Sequence, residues 1–542
     1  MGENGTKRSR IPGVINVGLA AACALVVALF ALRAASSQPP AIAEFAPQAQ
    51  QQIKQAPQEQ TALAGTGEGG SLTGDFLPSP SPGATVAPSP SPPINRGRIR
   101  HCIGSPPRQI DDPQSPPCVP YYDGPVLAST YKGIVGSDIN IVFQQSGVSS
   151  MPVYQRFFNQ YFEFYSRGIH LIDDSTDTAD QRTMAATADT TDHAFGALDN
   201  NVGGGIDYAD ELAHRGIIDV LSRPYFPETY LSSRRPYVWS YPMATDQLER
   251  TMASWACARL KGQPATHAGP GLTGQPRVYG LIFQTESTDI PMTSQPFKDA
   301  VASCGITLKF AGPDQNPSNE SQQQDASTIT QLKAAGVTSV FCFCDSGHLQ
   351  FMGSTATGQA YYPEWLVNSY ILNDYNQRVR SVGLPAEQRQ DSFGLSILPM
   401  QRQFPDHAST WADPSDPYQS DTEQIARDYE YEVLLLMASG IQMAGPNLTP
   451  QTFETGLQRT TFPNPDYPTM PGKVGFFGGS HAMTIDAAEI FWSNTAQSPY
   501  ADEGAGAYCY VDHGARHSIG NFPVGGDPFF RTPCDSGAQP AR

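Results

Sequence analysis

The chain has 542 residues, 16% of them charged and 39% hydrophobic, with a formal net charge of -18 and an isoelectric point near 4.9. Such an acidic balance argues against nucleic acid or anionic lipid as a partner. The length beyond residue 100 suffices for two or more cores of ordinary size, and no internal repeat is visible.

At the N-terminus, residues 1–10 carry Lys7, Arg8 and Arg10, and "IPGVINVGLAAACALVVALFAL" follows over 11–32. A run of about 20 apolar residues predicts a membrane-spanning helix. With Arg33 the nearest cation after it, the positive-inside rule keeps 1–10 in the cytoplasm and exports the rest, which predicts a single-pass cell-membrane protein with an extracytoplasmic body. The small residues of "RAASS" leave a cleaved signal peptide as the alternative. Cys23 is followed by further apolar residues where a mature lipoprotein would turn polar. Residues 33–100 are rich in Pro, Ala, Gln, Gly and Ser, with "PSPSPGATVAPSPSPP" near their end. They bury too little apolar surface to order themselves and predict a disordered, extended linker.

The body opens on "CIGSPPRQIDDPQSPPC", residues 102–118, too rich in Pro and Asp for helix or strand. Of nine cysteines, Cys23 lies in the apolar run, leaving Cys102, Cys118, Cys257, Cys304, Cys342, Cys344, Cys509 and Cys534. An even number in an oxidising compartment predicts disulfides. No histidine lies between Cys102 and Cys118, so this pair reads as a clasp, and Cys509 with Cys534 ties the tail in the same way. In "SVFCFC", Cys342 and Cys344 share one face of a strand, with Cα atoms near the roughly 6.8 Å limit and parallel Cβ vectors. That geometry predicts that they do not pair with each other and that each takes Cys257 or Cys304. Buried free thiols are the alternative.

From Ser137 short apolar runs alternate with amphipathic stretches: strand 138–147, helix 152–168, strand "IHLIDD", strand "HAFGALDNN", helix "DYADELAHRG" and strand "IIDVL". This alternation predicts an α/β unit with a parallel sheet covered on both faces. The rhythm restarts with helix 245–262, then strand "RVYGLIFQT", helix "QPFKDAVASCG", strand "ITLKFAG", helix "ASTITQLKAAG", and strands "SVFCFC" and "EWLVNSY". A long helix over 421–445 and "LTPQTFETGLQRT" return the chain to the first unit. Parallel open sheets bind ligands beyond the carboxyl ends of their strands. Polar residues collect there: Gln144, Gln145 and Ser146, Asp199, Asn200 and Asn201, Gln284, Thr285 and Glu286, Asp345 and Ser346, and Asn368, Ser369 and Tyr370. Two lobes facing each other would enclose them in a cleft.

These residues resemble a known family. "YKGIVGSDINIVF", "RRPYVWSYPMATDQLER" and "RVYGLIFQTE" are similar to the first strand, the first crossing and the second-lobe opening of type 1 periplasmic binding proteins, the branched-chain amino-acid and amide receptors of ABC importers. "RQIDDPQSPPCVPYYDG" resembles the preface of actinobacterial members. The resemblance implies an α/β fold of two Rossmann-like lobes with parallel sheets and a three-crossover hinge: lobe 1 over 101–244, lobe 2 over 245–398, and a return to lobe 1 with hinge segments over 399–542. It implies a solute-binding protein for ABC-type uptake, with no catalytic role, no cofactor and no metal. The implied ligand-binding residues are Gln145, Ser146, Asp199, Asn200, Tyr241, Thr285, Glu286, Asp345, Ser346 and Tyr370. Asp199 or Glu286 would neutralise an ammonium, Tyr241 or Tyr370 would form a wall or lid, and the hinge would pass through "SYPMAT".

One loop departs from the family. Where amino-acid receptors present a hydroxyl to the ligand carboxylate, this chain reads "LDNNVGGG", and Asp199 would repel a carboxylate. The expected solute is small and polar: amino-acid-like, amide, cationic or polyhydroxylated. The same architecture without import, as a tethered sensor or scaffold, is one alternative. An extracellular hydrolase using Asp512, His513 and His517 is another, although Gly514 and "SIGNFP" oppose the helix that spacing needs, and neither HExxH nor GxSxG occurs.

Overall fold

The computed structural model describes residues 102–105, 107–110, 112, 114–125, 127–144, 151–174, 180–199, 206–222, 226–284, 294–314, 321–344, 346–370, 373–398, 421–460, 462, 475–499, 503–526 and 533–538. Among them no helix is long and apolar enough to cross a membrane. The anchor and linker expected from the sequence lie outside the described residues.

The first lobe runs β1 (Ile134–Val135), β2 (Asp138–Gln144), α1 (Met151–Tyr161), β3 (Gly168–Asp174), α2 (Gln181–Thr190), β4 (Gly196–Asp199), α3 (Ile206–His214), β5 (Ile218–Leu221), α4 (Glu228–Ser233) and β6 (Val238–Ser240). Five strands are parallel in the order β3-β2-β4-β5-β6, and β1 pairs antiparallel with the start of β2. Along β2, Ile141 and Phe143 pack on one side with Tyr154 and Phe158 of α1, while Val142 packs on the other with Ala185, Ala188 and Leu212. Burial on both faces explains the apolar stretch Ile141–Phe143. Helix α1 stops well before Gly168 because Tyr165 and Ser166 turn left-handed, at φ 57° and 68°. There the Glu163 carboxylate accepts the amides of Tyr122 at 2.9 Å and Tyr165 at 2.6 Å.

The second lobe begins with α5 (Thr245–Arg259), then β7 (Tyr279–Gln284), α6 (Gln295–Ser303), β8 (Leu308–Asp314), α7 (Ser321–Ala334), β9 (Ser339–Phe343), α8 (Ser346–Gly358), β10 (Glu364–Val367), α9 (Asn376–Ser381), α10 (Ala386–Arg389) and β11 (Ser392–Ser396). After it come α11 (Asp421–Ala444), α12 (Pro450–Arg459), β12 (Ala487–Gln497), β13 (Ala505–Tyr510) and β14 (Arg516–His517). The second sheet has the order β13-β12-β11-β10-β9-β7-β8, with β14 on β12.

The segment 399–542 therefore does not return as a whole to the first lobe. Leu434, Met437 and Phe453 of α11 and α12 do pack with Phe143 and Trp239. Strands β12 to β14 instead extend the second sheet, β12 running antiparallel to β11 with Phe491 opposite Phe393. Two causes act together. An uncovered β11 would leave an open sheet edge, and Glu489 on β12 takes a bidentate pair from Arg259 of α5 at 2.8 and 2.7 Å.

The four bridges are Cys102–Cys118, Cys257–Cys304, Cys342–Cys344 and Cys509–Cys534. The expectation that Cys342 and Cys344 avoid each other is thus corrected. Strand β9 ends at Phe343, and Cys344 lies in a bend beyond it, so the Cα separation falls to 5.1 Å. Packing of α5 against α6 sets Cys257 and Cys304 at 6.0 Å. Chain entropy gives about 4 kcal/mol for the Cys257–Cys304 span of 47 residues and about 1 kcal/mol for the span of 2. Urea melts of Cys257→Ser/Cys304→Ser and Cys342→Ser/Cys344→Ser should differ by about that margin, the first variant losing more.

Candidate functional site

Both lobes share one strand order. The order β3-β2-β4-β5-β6 is repeated by β8-β7-β9-β10-β11, so in each sheet the chain steps to one side of its first long strand and then to the other. The crevices at the carboxyl ends of β2 with β4 and of β7 with β9 are topological switch points, where open parallel sheets take ligands.

Three crossings meet at these carboxyl ends. The first leaves β6 through 241–244 to α5, the second leaves β11 at Ser396, and the third passes 481–486 into β12. The first and third run side by side: Ser240 N donates to His481 O at 2.8 Å, Met483 N to Ser240 O at 2.9 Å and Thr484 N to Tyr241 O at 3.1 Å. His481 stacks on Trp239 with ring centroids 3.9 Å apart, and burial lowers its pKa, favouring the neutral ring. The second and third crossings are joined by Arg516, which donates to Leu398 O and Ile397 O, each at 2.8 Å, to Asp486 O at 3.0 Å, and to Asp486 Oδ1 at 2.8 Å. Among the described residues, these short segments at element ends link the two sheets.

Of the ten residues expected to bind ligand, Gln145, Ser146, Asn200, Thr285, Glu286 and Asp345 lie outside the described residues. Asp199 is the last residue of β4, beside Gln144 of β2, and its side chain lies outside them as well. Ser346 opens α8, fully buried, and accepts Arg378 Nε at 2.8 Å. Tyr241 is 4% exposed and Tyr370 1%.

Two buried polar networks lie at these strand ends; the first went unread in the sequence, and of the second only Asn368, Ser369 and Tyr370 were anticipated as strand-end residues. In the first lobe, Tyr241 Oη donates to Gln114 Oε1 at 2.8 Å and Tyr431 Oη to Asp112 Oδ2 at 2.7 Å, with Glu432 a further neighbour of the Tyr241 hydroxyl. The available signal was "EYEV", acids inside the apolar stripe of α11. In the second lobe, Asn368 Nδ2 donates to Cys342 O at 2.9 Å and Asn373 Nδ2 to Cys344 O at 2.7 Å. Ser369 donates to Asp374 Oδ2 at 2.6 Å and accepts Ile397 N at 2.7 Å, while Ser396 donates to the same carboxylate. Strand ends, the β10 loop and the second crossing thus form one hydrogen-bonded chain.

Three buried acids of the second lobe titrate high, in each case chiefly through loss of hydration. Asp374 is pushed up to about 6 against its two serine donors. Glu249 rises to about 7 despite bonds from Ser294 and the Phe297 amide. Asp391 rises to about 8, with Glu364 adding repulsion. A raised folded-state pKa means that the fold binds a proton the unfolded chain has lost, so stability falls as pH rises from about 4 to about 8. Urea midpoints should be higher at pH 5 than at pH 8, and Asp391→Asn should remove the upper part of that slope.

The His513 and His517 pair does not form a helical metal motif. Residues 511–514 make a 3-10 turn with Asp512 and His513 at positive φ, and His517 lies on β14. His513 pairs with Asp535 at 2.9 Å. Among the described residues no group of three or more His, Cys, Asp or Glu is arranged to hold a metal.

No family model matches the chain, and no curated protein sequence matches it. Solved structures similar to it include a solute binding protein of an ABC transporter from Rhodopseudomonas palustris BisB5 in complex with 3,4-dihydroxybenzoic acid, at 10% identity over 71% of this chain and 98% of that one, with a TM-score of 0.48. A substrate binding protein of an ABC transporter from Aeropyrum pernix is similar at 12% identity over 70% and 96%, with a TM-score of 0.48. A type 1 periplasmic binding protein from Bordetella pertussis Tohama I is similar at 12% identity over 66% and 96%, with a TM-score of 0.46.

Proposed function

We propose that the protein is an extracytoplasmic receptor that closes two lobes around a small polar solute. The observation that carries this reading is the repeated strand order, with both switch points opening toward three shared crossings. Nothing in it calls for bond-making chemistry; closure about the hinge supplies the function, and a solute that contacts both lobes favours the closed state. Gln145, Ser146, Asp199 and Asn200 would approach it from the first lobe, and Thr285, Glu286, Asp345 and Ser346 from the second, with Tyr241 and Tyr370 as walls. Asp199 at the end of β4 favours a cationic or neutral solute over an anion. Four disulfides support an oxidising, extracytoplasmic setting. An ABC permease is the partner this reading implies.

The test follows the unfolding temperature of the full chain, in mild detergent, against amino acids, polyamines, amides, sugars and hydroxybenzoic acids, with mass spectrometry of co-purified small molecules. A solute at 100 times its dissociation constant adds about 2.7 kcal/mol. Such a shift, abolished in Asp199→Ala, is the expected result. A broad panel with no shift and nothing co-purified would remove the receptor reading.

A further inference from the structure

The clasp of residues 102–118 reaches further into the fold than a bridge at the start of a domain needs to. Ser115 N donates to Asp112 O at 3.0 Å, Gln109 N to Pro116 O at 3.0 Å, and Gln114 N to Asp112 Oδ1 at 2.7 Å, folding the loop on itself. Asp112, Gln114 and Ser115 are each 0% exposed, a high degree of burial for polar residues in a Pro-rich loop. Other polar groups reach outside the loop: Gln109 Nε2 donates to the carbonyl of Tyr161 at the end of α1, and two further elements are met. Asp112 and the carbonyl of Pro117 accept from Tyr431 and Gln442 of α11, at 2.7 and 3.2 Å. Gln114 accepts from Tyr241, on the first crossing, at 2.8 Å.

We propose that the clasp is a positioning element of the hinge, in which Gln114 orients the Tyr241 phenol and Asp112 the Tyr431 phenol, so that the first crossing and α11 keep one register. The naming of Tyr241 as a solute wall rests on the receptor reading; the contact itself does not. A phenol carries one proton. Two acceptors stand beside that of Tyr241, Gln114 and Glu432, and the hydroxyl points to Gln114 Oε1 at 2.8 Å, with Glu432 the competing acceptor. Burial beside acids raises the pKa of Tyr241 well above its ordinary value, which keeps it a donor. The backbone of the same residue ties the first crossing to the end of β5, through Tyr241 N to Leu221 O at 3.0 Å, and to the third crossing, through Thr484 N to Tyr241 O at 3.1 Å. Tilting the ring thus acts on the hinge strands directly.

The experiment is a double-mutant cycle read by hydrogen exchange on the full chain, with no solute present. Gln114→Met keeps the length of the side chain and removes the acceptor; Tyr241→Phe removes the donor. Each single variant should raise exchange of amides 240–245 by roughly five- to tenfold, the effect of one buried hydrogen bond, and the double variant should add little to either. Unchanged exchange in Gln114→Met, or fully additive effects, would overturn the proposal. Opening the clasp with Cys102→Ser/Cys118→Ser gives a second arm that does not depend on Gln114→Met folding. A rise confined to 240–245 and the amides around Tyr431 supports the proposal, whereas an even rise over both lobes would make the bridge a general staple and refute it. Because no solute enters either arm, these outcomes are independent of the solute panel.

Discussion

Replacing Arg277 with methionine should cost the fold about 3–5 kcal/mol, the penalty for removing one partner of a buried ion pair. The side chains of Arg277 and Glu364 are 1% and 0% exposed and bond bidentately, at 2.8 Å in both arms. Glu364 also accepts Ser339 Oγ and the amide of His267, the latter at 3.1 Å, so its acceptor sites are filled. Asp391 lies close enough for Glu364 to raise its pKa, and the guanidinium is paired with Glu364 in this buried region at the base of the second sheet. Without it, two carboxyl groups share one buried region. Urea unfolding should show the midpoint fall with an unchanged slope. The paired change Arg277→Met/Glu364→Met should recover most of the loss, because exchanging a whole buried pair for apolar residues is often near neutral.

Arg516→Met should carry a loss of similar size, with a local signature at the hinge. The guanidinium and the Asp486 carboxylate are 5% and 8% exposed, and one planar group serves the carbonyls of Ile397, Leu398 and Asp486 together with the carboxylate. Removing it leaves the buried Asp486 without its guanidinium and the second and third crossings without their shared donor. We expect about 3–5 kcal/mol in urea melts and faster hydrogen exchange at 397–398 and 484–487 ahead of the rest of the chain. Arg516→Lys should recover only part, since an ammonium cannot match four acceptors lying around a planar fork. Equal exchange gains across both lobes would instead make Arg516 a general core residue.

Much of the scaffold is legible in the chain because short-range physics writes it there. Buried parallel strands favour apolar runs, and "YGLIF" and "SVFCF" became β7 and β9, with "IVF" at the centre of β2. Gly216, Gly262 and Gly336 follow α3, α5 and α7 at φ 75°, 75° and 69°, positions where left-handed backbone ends a helix and favours glycine. Strand-end loops were legible for the same reason, and with them the candidate residues Asp199, Ser346 and Tyr370. Helix α1 shows the limit of such reading: its aromatic face continues in sequence to Phe164, but a left-handed pair at Tyr165 and Ser166 redirects the chain.

The sequence by itself determined the alternation of strands and helices, the two-lobe rhythm and the short clasps, because each depends on residues a few positions apart. Only the tertiary structure decided which distant groups meet. Gln114 meets Tyr241 across 127 residues and Arg516 meets Leu398 across 118, and β12 to β14 chose the second sheet through an open edge and the pair of Arg259 with Glu489. The Cys342–Cys344 bridge belongs here too, since it depends on where β9 ends. Such contacts depend on where strands end and how distant elements pack, and the residues that make them carry no local pattern that announces it.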